Sequence, residues 1–188
     1  MVAIHDYQGR EQAYVKHVFL ERYLERLVHK TASRYDRIVY VDGFAGPWQS
    51  ANEQFQDTSF GIALRALRQA KATWKTNGRE VKMSAYLVEQ DSAAYDRLAG
   101  VATRYPDVEV KTFHHDFLKA LPAILEIIPS QAFAFFFIDP KGWRFRLHDL
   151  AKMLQRDHSE VIFNFMFDFI NRAASMKDSA IEQGEIGR

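Results

Sequence analysis

The sequence predicts an α/β domain built on a mostly parallel sheet with helices on both faces. Three observations lead there. Apolar periodicity alternates along the chain between helical and extended spacing, the pattern of a sheet whose strands are joined by helices. The run Ala132-Phe-Ala-Phe-Phe-Phe-Ile138 is apolar throughout, as a central strand buried on both faces requires. Finally, every expected strand ends in, or runs into, an acidic or polar residue.

The first element is a helix over about 12–32. Val15, Val18, Phe19, Tyr23, Leu24, Leu27 and Val28 recur at three- and four-residue steps and read as one apolar stripe. Lys16, Glu21, Arg22, Glu25, Arg26 and Lys30 supply much of its polar surface. A strand at 37–42 then runs into the turn Gly43-Phe-Ala-Gly46-Pro47 and a polar loop to Asp57. Thr58 or Ser59 is placed to cap a helix that reaches about Trp74. A second strand at 83–89 leads to a helix over about 92–105, and Pro106-Asp107 turns the chain into a third strand at 108–113. Asp116 starts a helix at 117–128 that Pro129 closes. After the fourth strand, 132–138, come a helix at about 147–155, a fifth strand at 160–166, and a helical tail from Phe169 to Gly184. Repeats, linkers and low-complexity stretches are absent, so one domain is expected over 1–188.

Bulk properties remove several function classes. The chain has 188 residues, 47% of them hydrophobic and 26% charged, with a formal net charge of +1. That charge argues neither for nor against nucleic acid, because recognition depends on clustering rather than on sums. With no cysteine, disulfides, thiolate nucleophiles and cysteine-based metal sites are excluded. No run approaches the roughly 18 apolar residues of a membrane span. His5, Asp6, Arg10, Glu11 and Lys16 make the N-terminus too polar for a signal peptide. A cytoplasmic protein without a membrane partner is expected.

Open parallel sheets bind ligands beyond the carboxyl ends of their strands, where strand order reverses. Those ends carry Asp42-Gly43-Phe44-Ala45-Gly46, Glu89 with Asp91, His114-His115-Asp116-Phe117, Asp139-Pro140-Lys141-Gly142-Trp143, and Asn164, Met166 and Asp168. Stability alone has no use for so many carboxylates at strand ends, where desolvation is costly. Gly43 and Gly46 either make a tight turn or let the backbone approach a ligand, with Asp42 accepting a hydrogen bond from it. Glu89 is placed to accept hydrogen bonds from the two hydroxyls of a ribose. His114 and His115 point to opposite sides of an extended chain, so no metal site is expected there. Trp48 and Trp143 serve either packing or the stacking of a planar substrate. Lys141, Arg144, Arg146 and His148 form the only local basic cluster beside the fourth strand's end.

The strand-end pattern resembles class I S-adenosylmethionine-dependent methyltransferases, and Asp42-Gly43-Phe44-Ala45-Gly46 is similar to the D-x-F-A-G opening of several that act on RNA and DNA. More narrowly, the chain resembles the three-Cys-motif partner family of bacterial proteins. The matching pieces are Lys16-His17, Arg22-Tyr23-Leu24, Tyr40 through Gly46, Val88-Glu89-Gln90-Asp91, Phe137 through Trp143, Asn164 and Ile170-Asn171-Arg172, in order over nearly the whole chain. The resemblance implies a Rossmann-like methyltransferase fold of strand order 3-2-1-4-5, to which relatives add further C-terminal structure. It also implies S-adenosylmethionine as cofactor. Asp42, Gly43, Phe44, Ala45 and Gly46 would line its methionine part, Glu89 its ribose, and Asp116 with Phe117 its adenine. Asp139 and Pro140 would face the transferable methyl, Trp143 would stack on an extruded base, and Lys141, Arg144 and Arg146 would meet DNA or RNA.

Two departures from the pattern support an alternative. Trp48 stands where methyltransferases often have a third glycine, and Lys141-Gly142 replaces the second half of the D-P-P-aromatic motif of amino-methylating enzymes. The alternative is a non-catalytic module that binds the cofactor or nucleic acid as partner protein of a bacterial defence or modification cluster. A nicotinamide enzyme ranks below both, since G-x-G-x-x-G is missing after the first strand.

Overall fold

The structure is a computed structural model and describes residues 4–9, 11–46, 50, 55–140 and 147–164. A 3-10 turn, Ile4–Tyr7, precedes helix α1 (Glu11–Ala32) and strand β1 (Arg37–Asp42). Then follow α2 (Ser59–Thr76), β2 (Lys82–Glu89), α3 (Ser92–Ala99), α4 (Val101–Arg104) and β3 (Glu109–His114). The described chain ends with α5 (Phe117–Ile127), β4 (Phe133–Ile138), a 3-10 turn at Leu147–Leu150, α6 (Ala151–Leu154) and β5 (Ser159–Phe163).

All five strands are parallel, in the order β3-β2-β1-β4-β5. The chain winds outward from β1 to β3 on one side and returns beside β1 as β4, so strand order reverses between β1 and β4. This is the expected Rossmann-like arrangement. Register aligns Asp42 with Leu87 of β2 and Phe137 of β4. It aligns Glu89 with His114, and Ile138 with Phe163.

Side chains alternate across the sheet and make two cores. Ile38, Tyr40, Met83, Ala85, Leu87, Phe133, Phe135 and Phe137 face α1 and α2. Val39, Val41, Tyr86, Val88, Ala134, Phe136 and Ile138 face Phe117, Leu121 and Ile124 of α5, with Leu150 and Met153 beyond. Burial on both faces explains why β4 reads as an unbroken apolar run. A cavity of about 10 Å³ between Leu24, Val28, Tyr40 and Phe135 has room for about one water and belongs to packing.

Several boundaries differ from the sequence expectation. Val15 and Phe19 are 67% and 58% exposed, on the far side of α1 from the buried Leu20, Leu24 and Val28, so the apolar stripe is narrower than it reads. The helix expected over 92–105 is two helices that meet at Gly100, the residue least costly to release from helical geometry. The third strand runs one residue later than expected, and the helix expected at 147–155 opens as a 3-10 turn. The last strand is Ser159–Phe163, so it begins one residue earlier than expected and Asn164 follows it; positions 165 and 166 of the expected strand and the helical tail from Phe169 lie outside the described residues.

Three helices next to the carboxyl edge are capped by side chains. Thr58 Oγ1 accepts from Gly61 N–H at 3.1 Å, Asp91 from Ala94 N–H at 2.9 Å, and Asp116 from Leu118 N–H at 3.0 Å. Gly61 is required there, because a Cβ would lie 1.9 Å from the carbonyl oxygen of Phe55. At the amino edge, Arg156 donates to the carbonyls of Pro129, Ala132, Asp157 and His158, tying the chain that enters β4 to the chain that enters β5. Arg68 grips both carboxylate oxygens of Asp107 and stacks over Tyr105, fastening α2 to the segment before β3.

Candidate functional site

The carboxyl edge is built from β1 outward. Asp42 is the last residue of β1 and is fully buried. Its Oδ1 accepts from Phe44 N–H at 3.0 Å; Oδ2 accepts from Tyr40 Oη at 3.0 Å and Ser59 Oγ at 2.6 Å. Tyr40 is two residues upstream, hence on the same face of the strand. Ser59 is available because Thr58, one residue earlier, makes the helix cap. Burial raises the Asp42 carboxyl from 3.8 to about 6, against the lowering effect of Ser59, Phe44 and Tyr40; the charge of Asp139 adds to the rise. The Tyr40 hydroxyl is likewise pushed well above its ordinary value, by burial and then by Asp42.

The turn after β1 is held by both neighbouring strands. Gly43 N–H donates to Phe137 O at 3.1 Å and Ala45 N–H to Val88 O at 2.9 Å. At Gly43 a side chain would meet Phe117 Cδ2 at 3.0 Å and Ile138 Cδ1 at 3.2 Å, so the glycine admits the protein's own core here. Phe117 is buried and its ring lies 5.9 Å from that of Phe44, centre to centre. It reaches this edge as a packing residue beneath the turn. Ala45 is buried, and Phe44 and Gly46 are half-buried.

Glu89, at the end of β2, is 3% exposed. Its Oε1 accepts from Asp91 N–H at 2.7 Å, and its carbonyl accepts from His115 N–H at 3.1 Å. Asp116 therefore follows directly on a loop anchored to β2, where it caps α5. His114 is exposed, with its ring stacked on Tyr95 at 4.6 Å.

Asp139 follows β4, and Pro140 beside it is buried. Asn164 follows β5 and is brought level with Asp139 by its own N–H, which donates to Ile138 O at 2.8 Å. Its Nδ2 donates to Asp139 Oδ1 at 2.6 Å. Oδ2 of the same carboxylate is in short contact with the ammonium of Lys16, from the second turn of α1.

Alternation thus puts Asp42, Glu89 and Asp139 on the α1/α2 face of one edge, as the contacts from Ser59 and Lys16 bear out. The sequence reading passed over Tyr40, Ser59, Lys16 and Asn164 as site residues. Tyr40 could have been found from its spacing to Asp42, and Asn164 stands at a strand end that the sequence marks; Lys16 and Ser59 come from helices, and nothing in their spacing points to this edge. Trp48, Lys141, Trp143, Arg144 and Arg146 lie outside the described residues. Among the described residues no group of three or more His, Asp or Glu could hold a metal ion. No described helix is long and apolar enough to cross a membrane.

No family model matches the chain, and no curated protein matches it. A solved structure, protein LPL1258 from Legionella pneumophila str. Philadelphia 1, described by the family model DUF519, is similar at 17% identity and a TM-score of 0.44. The match covers 64% of this chain and 54% of that one, so this chain spans about half the length of the structure it matches. The Rossmann-like assignment rests on the strand order itself.

Proposed function

We propose that this chain binds S-adenosylmethionine at the carboxyl edge of its sheet and acts as a methyltransferase on an amino group of a nucleic-acid base. The observation that carries this reading is the convergence of Asp42, Glu89 and Asp139, from three adjacent strands, at the reversal of strand order. The donor set suits the cofactor. A nucleoside with two ribose hydroxyls and a cationic centre offers donors and positive charge, and carboxylates meet both. Glu89 would hold the ribose hydroxyls, the backbone of Phe44 to Gly46 the methionine part, and Asp116 the adenine border, with Gly43 and Phe117 packed together beneath them. The resemblance to three-Cys-motif partner proteins points the same way, and a cytoplasmic, bacterial setting goes with it.

When bound, the cofactor supplies an electrophilic methyl on its sulfonium. The chain's share is alignment and the exclusion of water. Asp139 and the carbonyl of Pro140 would accept hydrogen bonds from the substrate's amino group, which would turn its lone pair toward the methyl and leave one N–H aimed at an acceptor that can pass the released proton to solvent. Lys141, Arg144 and Arg146 are assigned to the phosphates and Trp143 to stacking on the extruded base.

One observation favours the second reading, a cofactor- or nucleic-acid-binding partner protein without turnover. Both carboxylate oxygens of Asp139 already have a donor from the protein, Lys16 on one and Asn164 on the other. Calorimetric titration with S-adenosylmethionine, combined with transfer of a labelled methyl to DNA and RNA, separates the two. Methyl transfer by the parent, with affinity lost at least about tenfold in Glu89→Gln, supports the enzyme. Affinity without transfer selects the partner reading. An absence of affinity sinks the cofactor site.

A further inference from the structure

Lys16 has no part in the sheet and stands 123 residues before Asp139, yet its ammonium lies against that carboxylate. The two side chains are 27% and 19% exposed. A pair so far withdrawn from water must offset the desolvation of both charges, so its net gain to packing α1 onto the sheet is small. Its location supplies a better one. Asp139 lies close enough to Asp42 for its charge to be felt there, and Asp42 opens the turn assigned to the methionine part of the cofactor. Lys16 is thus a fixed positive charge on the one partly accessible carboxylate of the cluster.

The two donors on Asp139 differ in kind. Asn164 is a neutral amide held by the backbone register of β5, and it orients the carboxylate without altering its charge. Lys16 brings a full positive charge on a flexible stem. With both in place, Asp139 is directed and largely neutralised. With Lys16 removed, it is directed but carries an uncompensated negative charge.

We infer that Lys16 is a specificity-determining residue of this site, which sets how strongly the edge distinguishes a sulfonium cofactor from its neutral thioether product. This rests on the cofactor reading above. S-adenosylmethionine and S-adenosylhomocysteine carry the same amino, carboxylate and nucleoside groups and differ in charge only at sulfur. The ratio of their affinities therefore isolates the electrostatic effect at sulfur from everything that α1 does for packing.

The test is calorimetric titration of both ligands, at low ionic strength, on the parent protein and on Lys16→Met, Lys16→Arg and the double variant Lys16→Met/Asp139→Asn. Methionine keeps the stem and removes the charge. The affinity ratio should shift toward the sulfonium by about fivefold in K16M, and the shift should shrink as salt is added. K16R, which keeps the charge, should stay within about twofold of the parent ratio, and the double variant should return to it. A K16M ratio equal to the parent's, or equal weakening of both ligands, overturns the inference and leaves the cofactor reading standing. A folded parent that binds neither ligand overturns both. If K16M fails to fold, Lys16→Gln replaces it, with the same shift of about fivefold expected and an unchanged ratio overturning the inference.

Discussion

Replacing Asp42 with asparagine should stabilise the fold at neutral pH, by an amount that depends on pH in a defined way. Asp42 is buried, and its carboxyl is raised from 3.8 to about 6. A group that holds its proton more tightly in the folded state adds stability below its unfolded value and loses it as pH rises through the folded one. The loss runs from about pH 4 to about pH 6, and two units at about 1.4 kcal/mol each make it about 3 kcal/mol in full. Asparagine fits without repacking. Its Oδ1 can accept from Phe44 N–H, while its Nδ2 donates to Tyr40 Oη and Ser59 Oγ, whose hydroxyls rotate to accept. Urea unfolding of the parent and Asp42→Asn at pH 8 and pH 5 measures the effect. The variant should be the more stable at pH 8, with its margin about 1.4 kcal/mol smaller at pH 5. A margin that does not change with pH would refute the assignment of the titration to Asp42. If the Asp42 charge also serves a cationic ligand, the stabilised variant should bind S-adenosylmethionine less well than the parent.

Three further outcomes follow from packing and capping. Gly61→Ala drives a methyl group into the carbonyl of Phe55 and should cost about 2 kcal/mol or more, read as a lowered urea midpoint. Asp116→Ala removes the acceptor for the first N–H groups of α5 and should cost about 1 kcal/mol by thermal unfolding. Phe136→Ala empties a fully buried position in the central strand and should cost about 3–5 kcal/mol, read as a lowered urea midpoint by circular dichroism.

The fold was legible because its signals are local. The Phe135-Phe136-Phe137 run declares a strand covered on both sides, and Asp42 before Gly43 marks where β1 stops. The faults lie where three-dimensional direction decides. Val15 and Phe19 fit the helical repeat, but periodicity does not say where a stripe's edge falls, and both are exposed. The spacing around Asp42 marks a carboxylate at the strand end but does not show that Tyr40, Ser59 and its own turn donate to it. At Gly43 the sequence leaves a tight turn and ligand approach as equal readings, and the packing of Phe117 against it favours the turn. The Lys16 contact depends on which turn of α1 overlooks the end of β4, and spacing within the helix carries no trace of that.

The guanidinium of Arg156 gives the sheet a division of labour along its strands. By collecting four carbonyls where the chain enters β4 and β5, it clamps the far end of the two strands whose near ends present Asp139 and Asn164. Rigidity is thus supplied about a strand's length away from Asp139 and Asn164. Substitutions around Asp139 can then alter the side chains this edge presents while the strands that carry it stay in register.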